Sequence, residues 1–255
     1  MVSLAAPMNN RFALCIMFGL AASPALAADG SLSLRFSDSA TSSQLPAGWK
    51  HYPMSRHKTK ASIRLVRDGS ATVLHIDANR GAGGIAHALK LPPDQMLSWR
   101  WKVDHSVARA NLSKKHGDDF AARVYVFFDV PASALTFGER LKLRMARAVM
   151  GHALPRAALC YVWDNTHPVG TIAPNAYYGA VRAIVLQSGN AHAGQWQNEH
   201  RDVAADFRAA FGRQAPQITG VAVASDTDNT KGHVNAWFGD LTFSASTATP
   251  ESTDE

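Results

Sequence analysis

The chain has 255 residues, 46% of them apolar, with 26 Lys and Arg against 20 Asp and Glu and a formal net charge of +6. That length suits one domain with a substantial core, and two cysteines, Cys15 and Cys160, are too few for a disulfide framework. A basic surface attracts anionic lipid, acidic glycan or nucleic acid without specificity, so compartment decides among these partners.

The N-terminus bears on compartment. Arg11 is followed by an apolar run from Phe12 to Ala22, a break at Ser23-Pro24 and the small-x-small triplet Ala25-Leu26-Ala27. A charged start, a short apolar stretch and an A-x-A site make a secretory signal, with cleavage expected after Ala27. The run is about half of the ~20 residues that cross a bilayer, and no second long apolar run follows, so the mature chain is expected to carry no transmembrane segment. A periplasmic or secreted address follows, which sets nucleic acid aside as a partner. Cys15 leaves with the signal. Cys160 sits in the apolar run Ala157–Trp163 and reads as a small buried hydrophobe.

Period-two alternation dominates the remainder, and about ten strands are expected. Ser31–Phe36 and Trp49–Tyr52 come first. Ile63, Leu65 and Val66 precede Asp68-Gly69, and Val73, Leu74 and Ile76 follow, which is a hairpin signal. Gly81-Ala82-Gly83-Gly84-Ile85-Ala86 matches a loosened dinucleotide fingerprint, but Ile85–Leu91 reads as strand where a helix is required. Leu97, Trp99, Trp101 and Val103 alternate with Ser98, Arg100 and Lys102, giving one apolar and one basic face. Phe120–Val130 places Asp119, Arg123, Tyr125 and Phe127 on one side and Val124, Val126 and Phe128 on the other. Leu159–Trp163, Val181–Gln187, Ile218–Ser225 and Val234–Phe243 complete the strands. Two segments read as helix: Leu135–Ala153, with Leu141, Met145, Ala148 and Val149 on one face and Arg140, Arg144 and Arg147 on another, and Asp202–Phe211, which opens on an acidic cap and stops at Gly212. The Ser/Thr-rich stretch from Ser244 to Glu255 reads as a disordered tail. The pattern predicts an all-β chain: a single jelly-roll-like antiparallel β-sandwich over residues 28–243, with one or two peripheral helices.

Three polar constellations stand out. Asp118 and Asp119 sit where a loop enters the strand that carries Arg123 and Tyr125. Asp226, Asp228 and Asn229 follow the strand Gly220–Ser225, in an oxygen-rich loop that suits a hard cation or sugar hydroxyls; Lys231 at its sixth position excludes an EF-hand. Tyr161 and Trp163 lie beside Asp164 and Asn165, where rings stack on a sugar and polar groups meet its hydroxyls. Each has a structural alternative: the acids fasten turns through nearby amides, and the aromatics fill the core. Asp118, Asp119, Arg123, Tyr125, Tyr161, Asn165, Asp226, Asp228 and Asn229 are the candidate contacts.

Four blocks are distinctive: Gly117-Asp118-Asp119-Phe120-Ala121-Ala122-Arg123-Val124-Tyr125; Tyr161-Val162-Trp163 leading to Pro168-Val169-Gly170; Gly194-Gln195-Trp196 with Glu199, Arg201-Asp202-Val203 and Asp206-Phe207; and Asp226-Thr227-Asp228-Asn229-Thr230 with Ala236-Trp237-Phe238-Gly239-Asp240-Leu241. From about Gly48 to Phe243 the chain resembles an exported bacterial family known as domain of unknown function 3047. The resemblance implies a shared fold and export, and it brings no activity and no catalytic residues. Leu135–Ala153 looks longer than the family would have it. The chain ends are also similar to those of jelly-roll carbohydrate-binding modules: Ser31–Phe36 with Asp38, Pro46-Ala47-Gly48-Trp49, and Gly239-Asp240-Leu241-Thr242-Phe243. That likeness implies a structural calcium held by Asp38 and Asp240. Function is expected to be recognition of a glycan, an acidic sugar or another anionic envelope component. The alternatives are a carboxylate- or metal-dependent hydrolase acting on envelope glycan, and a peripheral membrane protein docking through Arg140, Arg144 and Arg147.

Overall fold

In the computed structural model, residues 30–52, 59–131, 133, 135, 137–138, 140–141 and 155–246 are described. The proposed signal, most of the segment Leu135–Ala153 and all but the first residues of the C-terminal tail lie outside them. Thirteen strands follow in chain order: β1 (Leu32–Leu34), β2 (Trp49–Tyr52), β3 (Ser62–Asp68), β4 (Ala71–Asn79), β5 (Ala82–Leu91), β6 (Gln95–Val103), β7 (Phe120–Phe128), β8 (Ala157–Asp164), β9 (Ile172–Pro174), β10 (Val181–Ser188), β11 (Gln197–Asp202), β12 (Ile218–Asp226) and β13 (His233–Ala245). A regular helix, α1 (Val203–Phe211), follows β11, and the described residues Phe137, Gly138, Arg140 and Leu141 of the expected first helix are helical as well.

The strands form a jelly-roll-like sandwich of two sheets. The first runs β11-β6-β13-β4-β3, with β1 added along β13; the second runs β2-β5-β12-β7-β8-β10-β9. Pairing is antiparallel except between β8 and β10, which run parallel. The alternation read from the sequence holds. Leu97, Trp99, Trp101 and Val103 of β6 and Ala122, Val124, Val126 and Phe128 of β7 join one core between the sheets, with Trp101 and Trp163 its largest fully buried side chains. Trp163 is therefore a core residue, and its indole N–H donates to the Gly189 carbonyl at 3.0 Å. The outer face of the second sheet carries its own apolar cluster, with Leu112, Phe120, Tyr125, Cys160 and Val162. Cys160 is buried there, and burial pushes its thiol up to about 12, against the pull of Arg123.

Local signals act as expected. The β3–β4 hairpin turns at Gly69, whose φ of 62° lies in the left-handed region. Asp202 caps α1 by accepting from the Ala205 N–H, and Gly212 closes it with φ 68°. Three departures have physical reasons. β9 is three residues long, and β11 is polar along its length, so neither shows an apolar period. Ser244 and Ala245 extend β13 into the expected tail because they pair with Met96 and Gln95 of β6.

The glycines of the rejected fingerprint serve close strand approach. A Cβ on Gly84 would stand 2.6 Å from the Val223 carbonyl oxygen and 2.8 Å from Ala224 Cβ. Neither partner can rotate aside, because both belong to β12 beside it. Gly84→Ala is expected to cost about 1–3 kcal/mol, read as a lower denaturant midpoint at unchanged slope.

Candidate functional site

The antiparallel β7–β12 pair, with its register shift between Ala224 and Asp226, brings the two acidic stretches together. A short 3₁₀ turn, Lys115–Gly117, delivers Asp118 and Asp119 to the start of β7. Arg123 donates from Nε to Asp226 Oδ1 at 2.9 Å and from Nη2 to Asp226 Oδ2 at 2.5 Å. It also donates to the Asp118 carbonyl at 2.9 Å and the Tyr125 hydroxyl at 3.3 Å. Asp119 accepts from the backbone N–H groups of Asn229 (3.1 Å) and Thr230 (2.6 Å), and Asp226 accepts from that of Phe120 (2.9 Å). Asp119, Asp226 and Asp228 each offer an oxygen within 4.8 Å of the others. Asp118, Asp119, Arg123, Tyr125, Asp226, Asp228 and Asn229 thus form one cluster.

The cluster is closed. Asp119 is fully buried, and Arg123, Asp226 and Asp228 are each 3% exposed. Burial would lower the Arg123 guanidinium, but Asp226, Tyr125 and Asp118 hold it well above its ordinary value. Burial first, then Asp119 and Asp118, push the Asp226 carboxyl up to about 7 against the pull of Arg123. The three converging carboxylates are the hard oxygen donors that a cation such as calcium takes. Arg123 already supplies positive charge there, and chain amides already occupy Asp119. No sugar ring fits between carboxylates enclosed in this way, so the acid pair of a glycosidase, which must flank an accessible bond, is not built here.

Other expected contacts lie elsewhere. Tyr161 opposes Val124 in register and therefore points between the sheets, while Arg123 points outward. Its hydroxyl donates to Asp206 Oδ2 at 2.9 Å and its ring packs 5.2 Å from that of Trp99. Asn165 donates to the carbonyls of Ala108 and Ala110, fastening a loop. Asp240 accepts from the Phe36 N–H, the Ser37 N–H and the Ser37 hydroxyl, which ties the end of β1 to β13, whereas Asp38 is exposed and pairs with Arg35 at 3.9 Å. The cluster also has a member with no sequence signal, Asn175, whose Nδ2 donates to Asp118 Oδ2 at 2.9 Å.

An open site lies on the outer face of the first sheet. Register sets Lys102, Trp237, His75 and Arg64 in a row across β6, β13, β4 and β3, and Asn198 and His200 of β11 beside Arg100 and Ser98. The His75 ring stacks on Trp237 with centroids 5.0 Å apart. Trp196, just before β11, covers the Arg100 guanidinium at 4.5 Å and Lys102 Nζ at 5.1 Å; Lys102 also lies 4.8 Å over Trp237. Lys102 donates to Asp68 Oδ2 at 2.6 Å, a partly exposed pair of the kind worth roughly 0–1 kcal/mol. A depression of about 600 Å³ adjoins this row, lined by Ser98, Arg100, Asn198, His200, Asp240 and Thr242 among others. The basic alternation of β6 was legible in the sequence; the two tryptophans that join it were not, because they arrive from distant segments. No helix among the described residues is long and apolar enough to cross a membrane.

The chain is similar to several solved structures at low identity. With the family 12 xyloglucanase from Bacillus licheniformis it shares 7% identity over 84% of this chain and 99% of that one, at a TM-score of 0.44. With the winged bean acidic lectin the figures are 10%, 84%, 98% and 0.39. With the glycoside hydrolase domain of Endo-D from Streptococcus pneumoniae R6 they are 10%, 77% and 0.30, and the chain spans 21% of that protein's length. No curated protein matches the sequence. Residues 47–242 match the family described as "Protein of unknown function (DUF3047)", and the chain belongs to that family.

Proposed function

We propose that this domain binds a glycan of the cell envelope through the outer face of its first sheet. The observation that carries the reading is the grouping of Trp196, Trp237, Arg100 and Lys102 on the solvent side of a sheet, with Arg100 also lining a depression of about 600 Å³. Aromatic faces stack on the C–H faces of sugars, and a few convergent polar groups fix orientation. Ser98, His200 and Thr242 supply such groups; Ser98 Oγ and His200 Nδ1 lie 2.6 Å apart, and Thr242 Oγ1 is 3.1 Å from Ser33 Oγ. The export signal read from residues 1–27 makes an envelope polysaccharide the expected ligand, and the excess of basic over acidic residues favours an anionic one. The buried Arg123–Asp226 cluster serves this function as a clamp on the β7–β12 end of the second sheet.

The test is retention of the mature chain by a panel of immobilised envelope polysaccharides. At least one is expected to retain it, and Arg100→Glu is expected to abolish that retention without changing the melting temperature. Retention by none, or retention that Arg100→Glu leaves intact, rejects this face as the site.

A further inference from the structure

Asp68 and Trp196 come from opposite edges of the first sheet and meet above its middle. Asp68 ends β3, the strand at one edge; Trp196 leads into β11, the strand at the other. One carboxylate oxygen, Asp68 Oδ2, accepts from the Trp196 indole N–H at 2.9 Å and from Lys102 Nζ at 2.6 Å. The same ammonium lies over both indole rings, and the Arg100 guanidinium lies over that of Trp196 at 4.5 Å. A carboxylate is thus held by a charge-assisted bond from an ammonium that lies over two aromatic rings, and by the N–H donor of one of those rings.

We infer that the Asp68 carboxylate occupies the place of a ligand's carboxylate, and that this face recognises glycans carrying uronate groups. The inference rests on the glycan reading and narrows it. A hexuronate bears its carboxylate on the ring carbon beside a C–H face. A ring stacked on Trp237 or Trp196 therefore brings that group within reach of Lys102 and Arg100. Arg100 in addition offers the forked donor geometry that carboxylates take in pairs. Displacing Asp68 is cheap: its side chain is 28% exposed and that of Lys102 15%, and a partly solvated pair of this kind contributes little stability. Once displaced, Asp68 regains water while the ligand takes over its bonds. Lys102 also holds the Asp68 carboxyl below its usual range, as it would a ligand's. The resident carboxylate acts as a competitor that lowers affinity and screens out weakly held anions.

Calorimetric titration of the mature chain with polygalacturonate and with its fully methyl-esterified form isolates the carboxylate on one backbone. The wild-type chain is expected to bind the acid form at least tenfold more tightly than the ester. Asp68→Asn, which keeps an acceptor for Trp196, is expected to tighten binding of the acid form three- to tenfold and leave the ester unchanged. Lys102→Met is expected to erase the preference, and melting temperatures verify that both variants fold. Equal affinity for the two forms, or Asp68→Asn that leaves or weakens acid binding, overturns the inference while the glycan reading stands. Binding of neither polymer by any variant also overturns it, and the polysaccharide panel then decides the broader reading by itself.

Discussion

Replacing Arg123 with methionine is expected to cost the domain about 3–5 kcal/mol, the usual penalty for removing one partner of a buried ion pair, and to lower the melting temperature by roughly 10 °C or more. The variant leaves Asp226 buried with Asp118 and Asp119 beside it, and deprives the Asp118 carbonyl and the Tyr125 hydroxyl of a donor. The loss has a pH signature. Asp226 already titrates above its unfolded value of about 3.9, and without Arg123 its folded-state value rises further. A raised acid contributes stability that is fully present below the unfolded value and fades as pH climbs through the folded one. The penalty is therefore expected to be smaller at pH 5 than at pH 8. Asp226→Asn in the Arg123→Met background removes the stranded charge and is expected to restore part of the loss, so that the two substitutions are strongly non-additive. Urea unfolding of the wild type, Arg123→Met, Asp226→Asn and the double variant at both pH values measures this. A loss below about 1 kcal/mol at pH 8 would mean that another group neutralises the carboxylates and that Arg123 is not the clamp.

That clamp shows how far the sequence could be read. Strand alternation placed Arg123 and Tyr125 on one side of β7 and Val124 and Val126 on the other, and the core follows that division. The meeting of Asp118 and Asp119 with Asp226, Asp228 and Asn229 was legible as a hypothesis because both stretches lie at strand ends. Whether they would open to a ligand was not legible, since closure depends on the β7–β12 register and on Asn175 arriving from a third segment. Tyr161 is the opposite case. Its spacing to Trp163 was right, but period two gives no sign of which face of β8 looks inward, and the inward face is the one that carries both rings. On the first sheet, the basic side of β6 was visible as Ser98, Arg100 and Lys102, whereas Trp196 and Trp237 are remote in sequence and join it through β11 and β13.

The two outer faces therefore differ in kind. On the second sheet, small and apolar residues such as Ala183, Ala222 and Ala224 pack with Tyr125, Phe120 and Leu112, and Arg123 is sealed among carboxylates. On the first sheet, tryptophans and cations remain partly exposed because no cluster of comparable size covers them. The ring area of Trp196 and Trp237 that their contacts with His75, Arg100 and Lys102 leave in water is the area a bound molecule would cover on the proposed binding face.

Trp237→Ala is accordingly expected to weaken glycan binding at least about 30-fold, a loss near 2 kcal/mol that marks a binding hot spot. Trp237 lies mid-row between Lys102 and His75, with one ring in reach of both. Its removal takes away the stacking surface and also one of the two rings over which Lys102 lies. Trp237→Phe keeps a smaller ring and is expected to retain an intermediate affinity. Independent of ligand, the imidazole of His75 reports the same change. It is 6% exposed beneath its neighbours, and burial, with Arg64 adding repulsion, holds it below its usual value against the bond to Asn235. Removing the stacked indole lets water reach the ring, so its midpoint in an NMR titration is expected to move up toward about 6.5. A shifted His75 together with unchanged affinity would show that the ring was removed as intended and that the glycan does not rest on it, which would exclude Trp237 from the site.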